Sequence, residues 1–266
     1  MTDYSLSLSA AEFYETTMVP SLFAAWAARA VDAAGVGTGQ RVLDVACGTG
    51  VVARAAAERV GPSGTVVGLD ANHAMLTVAR RLRPDLRWVP GDAAALPFDD
   101  GSFDVAISQA ALMFFGDRVA ALRELGRVAD RVVVQVPGRL AASAGYRPLA
   151  EVLARRAGPA AQDLLGAYFN VGEPALLTDL FQRAGLRIDR FETWIGATRS
   201  ESLDTFLAAE LLPLLETIDA GVRAVILDDC RGALAPFVDP AGAVAAPIEV
   251  QLITACDGDA SRRGRR

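Results

Sequence analysis

The residues best placed to do chemistry are two glycines and three carboxylates. Gly48 and Gly50 close the run Arg41-Val42-Leu43-Asp44-Val45-Ala46-Cys47-Gly48-Thr49-Gly50, and Asp44, Asp70 and Asp92 punctuate the same region. Glycine lets a backbone approach a ligand closely. A helix leaving such a turn presents unpaired N–H groups and a positive dipole end. Carboxylates beside it accept hydrogen bonds from hydroxyls and attract cations. The chemistry implied is capture of a nucleoside-bearing ligand.

The other reactive side chains exclude several alternatives. All 26 basic residues are arginine, so there is no Schiff-base lysine, no P-loop lysine and no Tyr-x-x-x-Lys dehydrogenase pair. His73 is the single histidine, and Cys47, Cys230 and Cys256 lie far apart. Neither a zinc site nor a Ser-His-Asp triad fits that inventory, so no metal is expected. His73 opens a helix behind the ligand loop, which suits a solvated residue better than a base. Cys47 reads as a small packing residue. A net charge of −6 argues against a nucleic-acid surface.

These residues need elements to position them. With 266 residues, 52% of them hydrophobic, the chain can bury a sizeable core, but no uninterrupted apolar run is long enough for a membrane span. The N-terminus lacks a secretory pattern, and a soluble, cytoplasmic protein is expected. Periodicity predicts strands at Arg41–Val45, Thr65–Asp70, Leu86–Val89, Phe103–Ser108 and Arg131–Val136, with helices at Val51–Val60, His73–Arg83 and Arg118–Ala129 between them. Upstream, a short helix around Ala11–Glu15 is expected to end by Pro20, before a longer one at Ser21–Ala34. Downstream, helices at Leu149–Arg156, Gln162–Phe169 and Pro174–Ala184 suggest a cap. A strand at Leu186–Trp194, a helix at Leu203–Ala220 and a last strand at Ile248–Ala255 follow. Alternating strands and helices dictate βαβ units and a parallel α/β sheet, whose ligands sit outside the carboxyl ends of the strands. Ala46–Gly50, Asp70–Asn72, Gly91–Ala93 and Ser108–Ala110 all fall there.

Two ligands compete for that crevice. Gly48-Thr49-Gly50-Val51-Val52-Ala53 matches a loose dinucleotide pattern, with Asp70 at a suitable distance. Asp44 and Asp92, however, would repel a pyrophosphate at low effective dielectric. S-adenosylmethionine (SAM), with a sulfonium and an ammonium beside one carboxylate, suits acidic walls better.

The motifs then resemble, in order, those of the class I SAM-dependent methyltransferases. Val42–Gly50 is similar to the family's glycine-rich first motif. Asp70 corresponds to its ribose-binding acid, and Gly91-Asp92-Ala93 with Leu96-Pro97-Phe98 to its adenine-contacting motif. Ser102-Phe103-Asp104-Val105, Ser108-Gln109, Phe114-Phe115-Gly116-Asp117-Arg118 and Leu122-Arg123-Glu124 continue the likeness, which is closest to the ubiquinone- and menaquinone-pathway subgroup. Two features depart from the family: Val128-Ala129-Asp130-Arg131 replaces the usual Pro-Gly-Gly before the fifth strand, and His73 replaces a frequent proline.

The resemblance implies a Rossmann-like, seven-stranded, mostly parallel sheet with helices on both faces. Residues 1–34 would form an N-terminal helical cover, 35–256 the methyltransferase domain with a helical cap insertion around 140–185, and 257–266 a disordered tail. SAM would be bound by Tyr14, Asp44, Ala46, Cys47, Gly48, Gly50, Asp70, Ala71, Asn72, Met75, Gly91, Asp92, Ala93, Ser108 and Gln109. For Asp44 the residues leave a second role open, anchoring the loop's backbone. Phe114, Phe115 and Tyr146 would line the pocket of a small-molecule acceptor, apolar or aromatic. No catalytic base stands out, with Glu12, Tyr14 and Tyr146 the candidates for an assisting role. The accepting atom (O, N or C) and the oligomeric state stay open. A nicotinamide-dependent oxidoreductase and a non-catalytic SAM-binding protein are the competing readings.

Overall fold

The computed structural model describes residues 7–211, 215 and 218–258. Seven strands form one sheet in the order β3-β2-β1-β4-β5-β7-β6. They are β1 (Arg41–Val45), β2 (Thr65–Asp70), β3 (Arg87–Pro90), β4 (Phe103–Gln109), β5 (Ala129–Pro137), β6 (Leu186–Ser200) and β7 (Val244–Asp257). Pairing from β3 through β5 is parallel, with Val42 opposite both Val66 and Val105. Buried on both faces over most of their length, β1, β2, β4 and β5 are near-continuous hydrophobic runs, whereas the edge strand β3 is partly exposed.

Two compact units can be distinguished. The first comprises Met1–Val136, Pro174–Glu192 and Leu252–Arg266, and the second Pro137–Glu173 and Thr193–Gln251. The helical region read as a cap, around 140–185, is therefore divided between the two. The first unit holds α1 (Leu8–Phe13), α2 (Ala24–Ala34), α3 (Val51–Val60), α4 (His73–Leu82) and α5 (Arg118–Val128). In the second lie α6 (Arg147–Ala157) and α7 (Pro159–Gly166), whereas α8 (Pro174–Arg183) returns to the first. The second also contains α9 (Leu203–Glu210) and α10 (Ala220–Leu234). The single helix expected at Leu203–Ala220 is thus not continuous, because α9 ends at Glu210. Nearly all of the tail expected at 257–266 lies outside the described residues.

The N-terminal helix departs from the sequence expectation in an instructive way. Pro20 does not end it: α1 passes into a π-helical stretch, Tyr14–Phe23, which passes into α2. A proline inside an α-helix removes a hydrogen bond and clashes with the preceding turn, whereas the wider π turn takes up the mismatch. The Ala24 N–H reaches the Val19 carbonyl, five residues back, and the Ser21 hydroxyl donates to Thr17 O at 2.5 Å. No sequence period announces this arrangement.

Below it, α2 covers one face of β4 and β5. Ala27, Ala30, Val31 and Ala34 share a core with Val105, Ile107 and Val133. Both ends of the helix are pinned: Gln109 Nε2 donates to Phe23 O at 3.2 Å, and Arg131 donates to Ala34 O at 2.8 Å. The turn before β5 was the atypical one in sequence. Here α5 ends at Val128 and β5 begins at Ala129, with no intervening loop.

Candidate active site

The glycine loop is held by acids. Cys47 N donates to Leu69 O (2.9 Å), Gly50 N to Cys47 O (2.8 Å), and Gly48 N to Asp70 Oδ2 (2.8 Å). The other Asp70 oxygen accepts from Asn72 N at 2.7 Å, so one carboxylate joins the ends of β1 and β2. Burial raises its pKa, against the pull of those two N–H groups. Asn72 caps α4 through Ala74 N and Met75 N. Gly50 carries no cap for α3, and Asp44 supplies one from the strand: its Oδ2 accepts from Ala53 N at 2.8 Å. Asp44 therefore anchors the loop's helix. Burial, reinforced by Asp70, lifts its carboxyl to about 7, while Ala53 N–H and Arg54 oppose the rise.

The two glycines have different jobs. A Cβ on Gly50 would run into the Trp88 ring, and so would one on Gly68. The indole lies between the two backbones, and Gly50 (φ 86°) is a packing requirement. A Cβ on Gly48 would meet only Tyr14 and Met75, at 3.8–4.0 Å. That side of the loop faces space bordered by the residues read as cofactor contacts. Two alanines, Ala46 (φ 57°) and Ala110 (φ 53°), occupy the left-handed region at the ends of β1 and β4. Such strain concentrates at functional sites.

Tyr14 sits over the loop. It stacks on Phe23 with ring centroids 5.3 Å apart, and α1 packs on α4 through Ala11, Met75 and Val78. Arg54 ties this cover down, reaching Glu15 at 2.8 Å and Thr49 O at 2.7 Å. Burial, with the charges of Asp44, Glu15 and Asp70, pushes the Tyr14 phenol far upward. It is a neutral hydroxyl, unsuited to act as a base. Glu12 is spent on Arg81 at the surface, 2.6 Å away.

The remaining candidates fall as follows. Cys47 is buried packing, its thiol raised by burial. Ala71 and His73 are exposed, and so is Asp92, whose Oδ1 accepts from Ala94 N at 2.9 Å. Gly91 N donates to Asp70 O at 3.1 Å, and Ala93 is buried. Ser108 and Gln109 end β4, both buried. Phe114 closes a short turn after β4 and is exposed, and Phe115 follows it. All of these belong to the first unit.

Tyr146 belongs to the second unit, in its core. Its hydroxyl is 2.6 Å from Thr198 Oγ1, and its ring lies 5.5 Å from Phe169 and 6.1 Å from Phe206. Glu210, the last residue of α9, adds its negative charge to the surroundings of the phenol. Burial raises Tyr146 well up and Glu210 to about 7. Sequence reasoning passed over Glu210, the acid that ends the largely apolar α9. It passed over Gln135 as well, the single polar residue in Val132–Val136 and completely buried.

A cavity of about 630 Å³ lies at the opposite, amino ends of β4 and β5, lined by Gln40, Asp104, Asp130, Arg131, Arg187 and Asp189. Of its charged side chains, Asp104 pairs with Arg41 at 2.7 Å and Arg187 with Asp189 at 2.8 Å.

Both the sequence and the fold are similar to those of known proteins. Residues 42–131 match the family model for a methyltransferase domain. Among curated proteins, a demethylmenaquinone methyltransferase of Renibacterium salmoninarum is 44% identical over 104 residues, 39% of this chain and 42% of that protein. A 2-phytyl-1,4-naphtoquinone methyltransferase of Synechocystis sp. is 42% identical over 109 residues, 39% of this chain and 46% of its own. The match thus spans less than half the length of either relative. The crystal structure of a putative methyltransferase from Bacillus halodurans superposes with a TM-score of 0.61 at 18% identity, covering 88% of this chain and 99% of that one. That likeness is one of fold, and it reaches beyond the matched segment. Among the described residues, no helix is long and apolar enough to cross a membrane, and no group of three or more His, Cys, Asp or Glu could hold a metal ion.

Proposed function

We propose that the protein transfers the methyl group of SAM to a small-molecule acceptor with an apolar, aromatic ring. One observation carries the cofactor assignment. The Gly48 amide, which a dinucleotide pyrophosphate would need, is held by the Asp70 carboxylate, with Asp44 buried behind it. An acid-lined loop favours hydroxyl and ammonium donors over phosphate. Gly48 offers the open backbone, Asp70 the ribose contact, Asp92 and Ala93 the base end, and Tyr14 and Met75 the cover. SAM supplies a methyl on a sulfonium, and the departing thioether is neutral.

The chain's own task is then to orient the acceptor and exclude water. The C–S bond breaks as the acceptor–methyl bond forms, and the only proton to be removed is the acceptor's own. Tyr14 and Tyr146 are held neutral, so neither removes it. An acceptor that is already electron-rich, such as a phenolate, enol or amine, fits these residues. The names of the two curated relatives support a quinone-type ring. The test is transfer of labelled methyl from SAM to a demethylated naphthoquinol, with products identified by mass spectrometry. Label in the ring-bearing product supports the assignment, and no labelled product across quinol, phenol and amine acceptors refutes it.

A further inference from the structure

Gln135 is a primary amide where the fold would accept a hydrocarbon. It stands opposite Gln109 in the β4–β5 register, and the alternation of parallel strands puts both on the face that carries Ile107 and Val133, the face covered by α2. Gln109 spends its Nε2 on Phe23 O, where α2 begins. Its Oε1, and both polar atoms of Gln135, are buried without a hydrogen-bond partner among the described residues. Ser108 Oγ is also unpartnered but belongs, by the same alternation, to the opposite face.

An unpaired buried polar group costs about 1–3 kcal/mol, and a methionine of similar volume would avoid that. Three such atoms share one spot at the level where β4 stops. Ala110, the next residue, is in the left-handed region and donates to Gln135 O at 2.7 Å. A costly pair of amides and a strained backbone thus coincide at a strand end, where a parallel sheet binds its ligands.

We infer that Gln135, with the Oε1 of Gln109, is the polar anchor of the methyl acceptor, hydrogen-bonding a ring oxygen of an otherwise apolar molecule. The inference rests on the methyl-transfer reading and deepens it. The chemistry is matched: Nε2 donates to a carbonyl oxygen, while either Oε1 accepts from a hydroxyl. The quinone and quinol forms of one ring therefore both find partners, and the surrounding alanine, valine and isoleucine side chains suit the ring itself. Sites built to hydrogen-bond an oxygen reject analogues lacking it.

The test compares 1,4-naphthoquinone with naphthalene, titrated into wild type and Gln135→Met by calorimetry, with SAM binding measured on the same samples. Wild type should prefer the quinone by about tenfold or more, and the variant should lose that preference while binding SAM unchanged and melting at the same temperature or higher. Equal affinity for the two ligands in wild type, a preference retained in Gln135→Met, or no quinone binding at all overturns the inference. Gln135→Ala, which cannot overfill the position, gives the same reading should the methionine variant fail to fold. Absence of SAM binding in wild type would instead refute the cofactor assignment, so the two failures are distinguishable.

Discussion

Replacing each loop glycine by alanine separates folding from binding. At Gly50 the backbone is left-handed (φ 86°), and the new Cβ would collide with the Trp88 indole. The conformation costs an alanine about 1–2 kcal/mol, and an overpacked core about 1–3 kcal/mol more. Trp88 has little room to retreat, because Gly68 lies against the same ring and Trp88 Nε1 is bonded to Arg83 O at 2.8 Å. Gly50→Ala should therefore lower the melting temperature by about 4–20 °C, given ~2–4 °C per kcal/mol for a chain of this size. At Gly48 (φ 54°) only the conformational cost applies, since the nearest atoms stand at 3.8–4.0 Å. Its melting temperature should fall by only about 2–8 °C. The new methyl group, however, occupies the space facing Tyr14 and Met75, and SAM affinity should drop at least about tenfold. Differential scanning calorimetry and SAM titration measure the two effects, and Gly50→Ala/Trp88→Leu should regain part of the lost stability. A Gly50→Ala protein as stable as wild type, or Gly48→Ala with unchanged SAM affinity, would refute the division of labour.

Two further outcomes follow from the same geometry. Asp44 has a folded pKa raised from 3.8 to about 7, so the folded state holds a proton that the unfolded chain has already released. Its effect on stability is then full below pH ~4 and lost as pH rises towards 7, about 4 kcal/mol in all, with Glu210 acting in the same direction. Asp44→Asn should reduce this slope, leaving the Glu210 share, in urea denaturation curves taken between about pH 5 and pH 8, and a variant with the wild-type slope would show that Asp44 titrates normally. Arg54→Ala releases both Glu15 and the Thr49 carbonyl, so amide exchange should speed up across residues 8–23 by about tenfold or more. Unchanged exchange there would mean the cover is held by packing alone.

Much of the first unit was legible because its local signals agree. Arg41–Val45, Val51–Val60 and Thr65–Asp70 stand where their patterns put them, and Asn72 caps the helix it precedes. Other features are set by contacts distant in sequence. Gly50 reads as a ligand glycine until Trp88 is seen against it. Pro20 reads as a stop until the π turn absorbs it. Gln135 is hidden in a run of valines, and its signal was one amide in a strand with no solvent face. The last strands are longer than their alternation suggests, and α10 carries too weak a pattern to stand out.

The most direct test of the cofactor site is a calorimetric titration of SAM into wild type and Asp70→Asn, with NADH titrated in parallel. The expected result is micromolar SAM binding by wild type, affinity weakened about tenfold or more in Asp70→Asn, and no heat from NADH. No binding at millimolar SAM, tight NADH binding, or an Asp70→Asn protein with undiminished SAM affinity would contradict it.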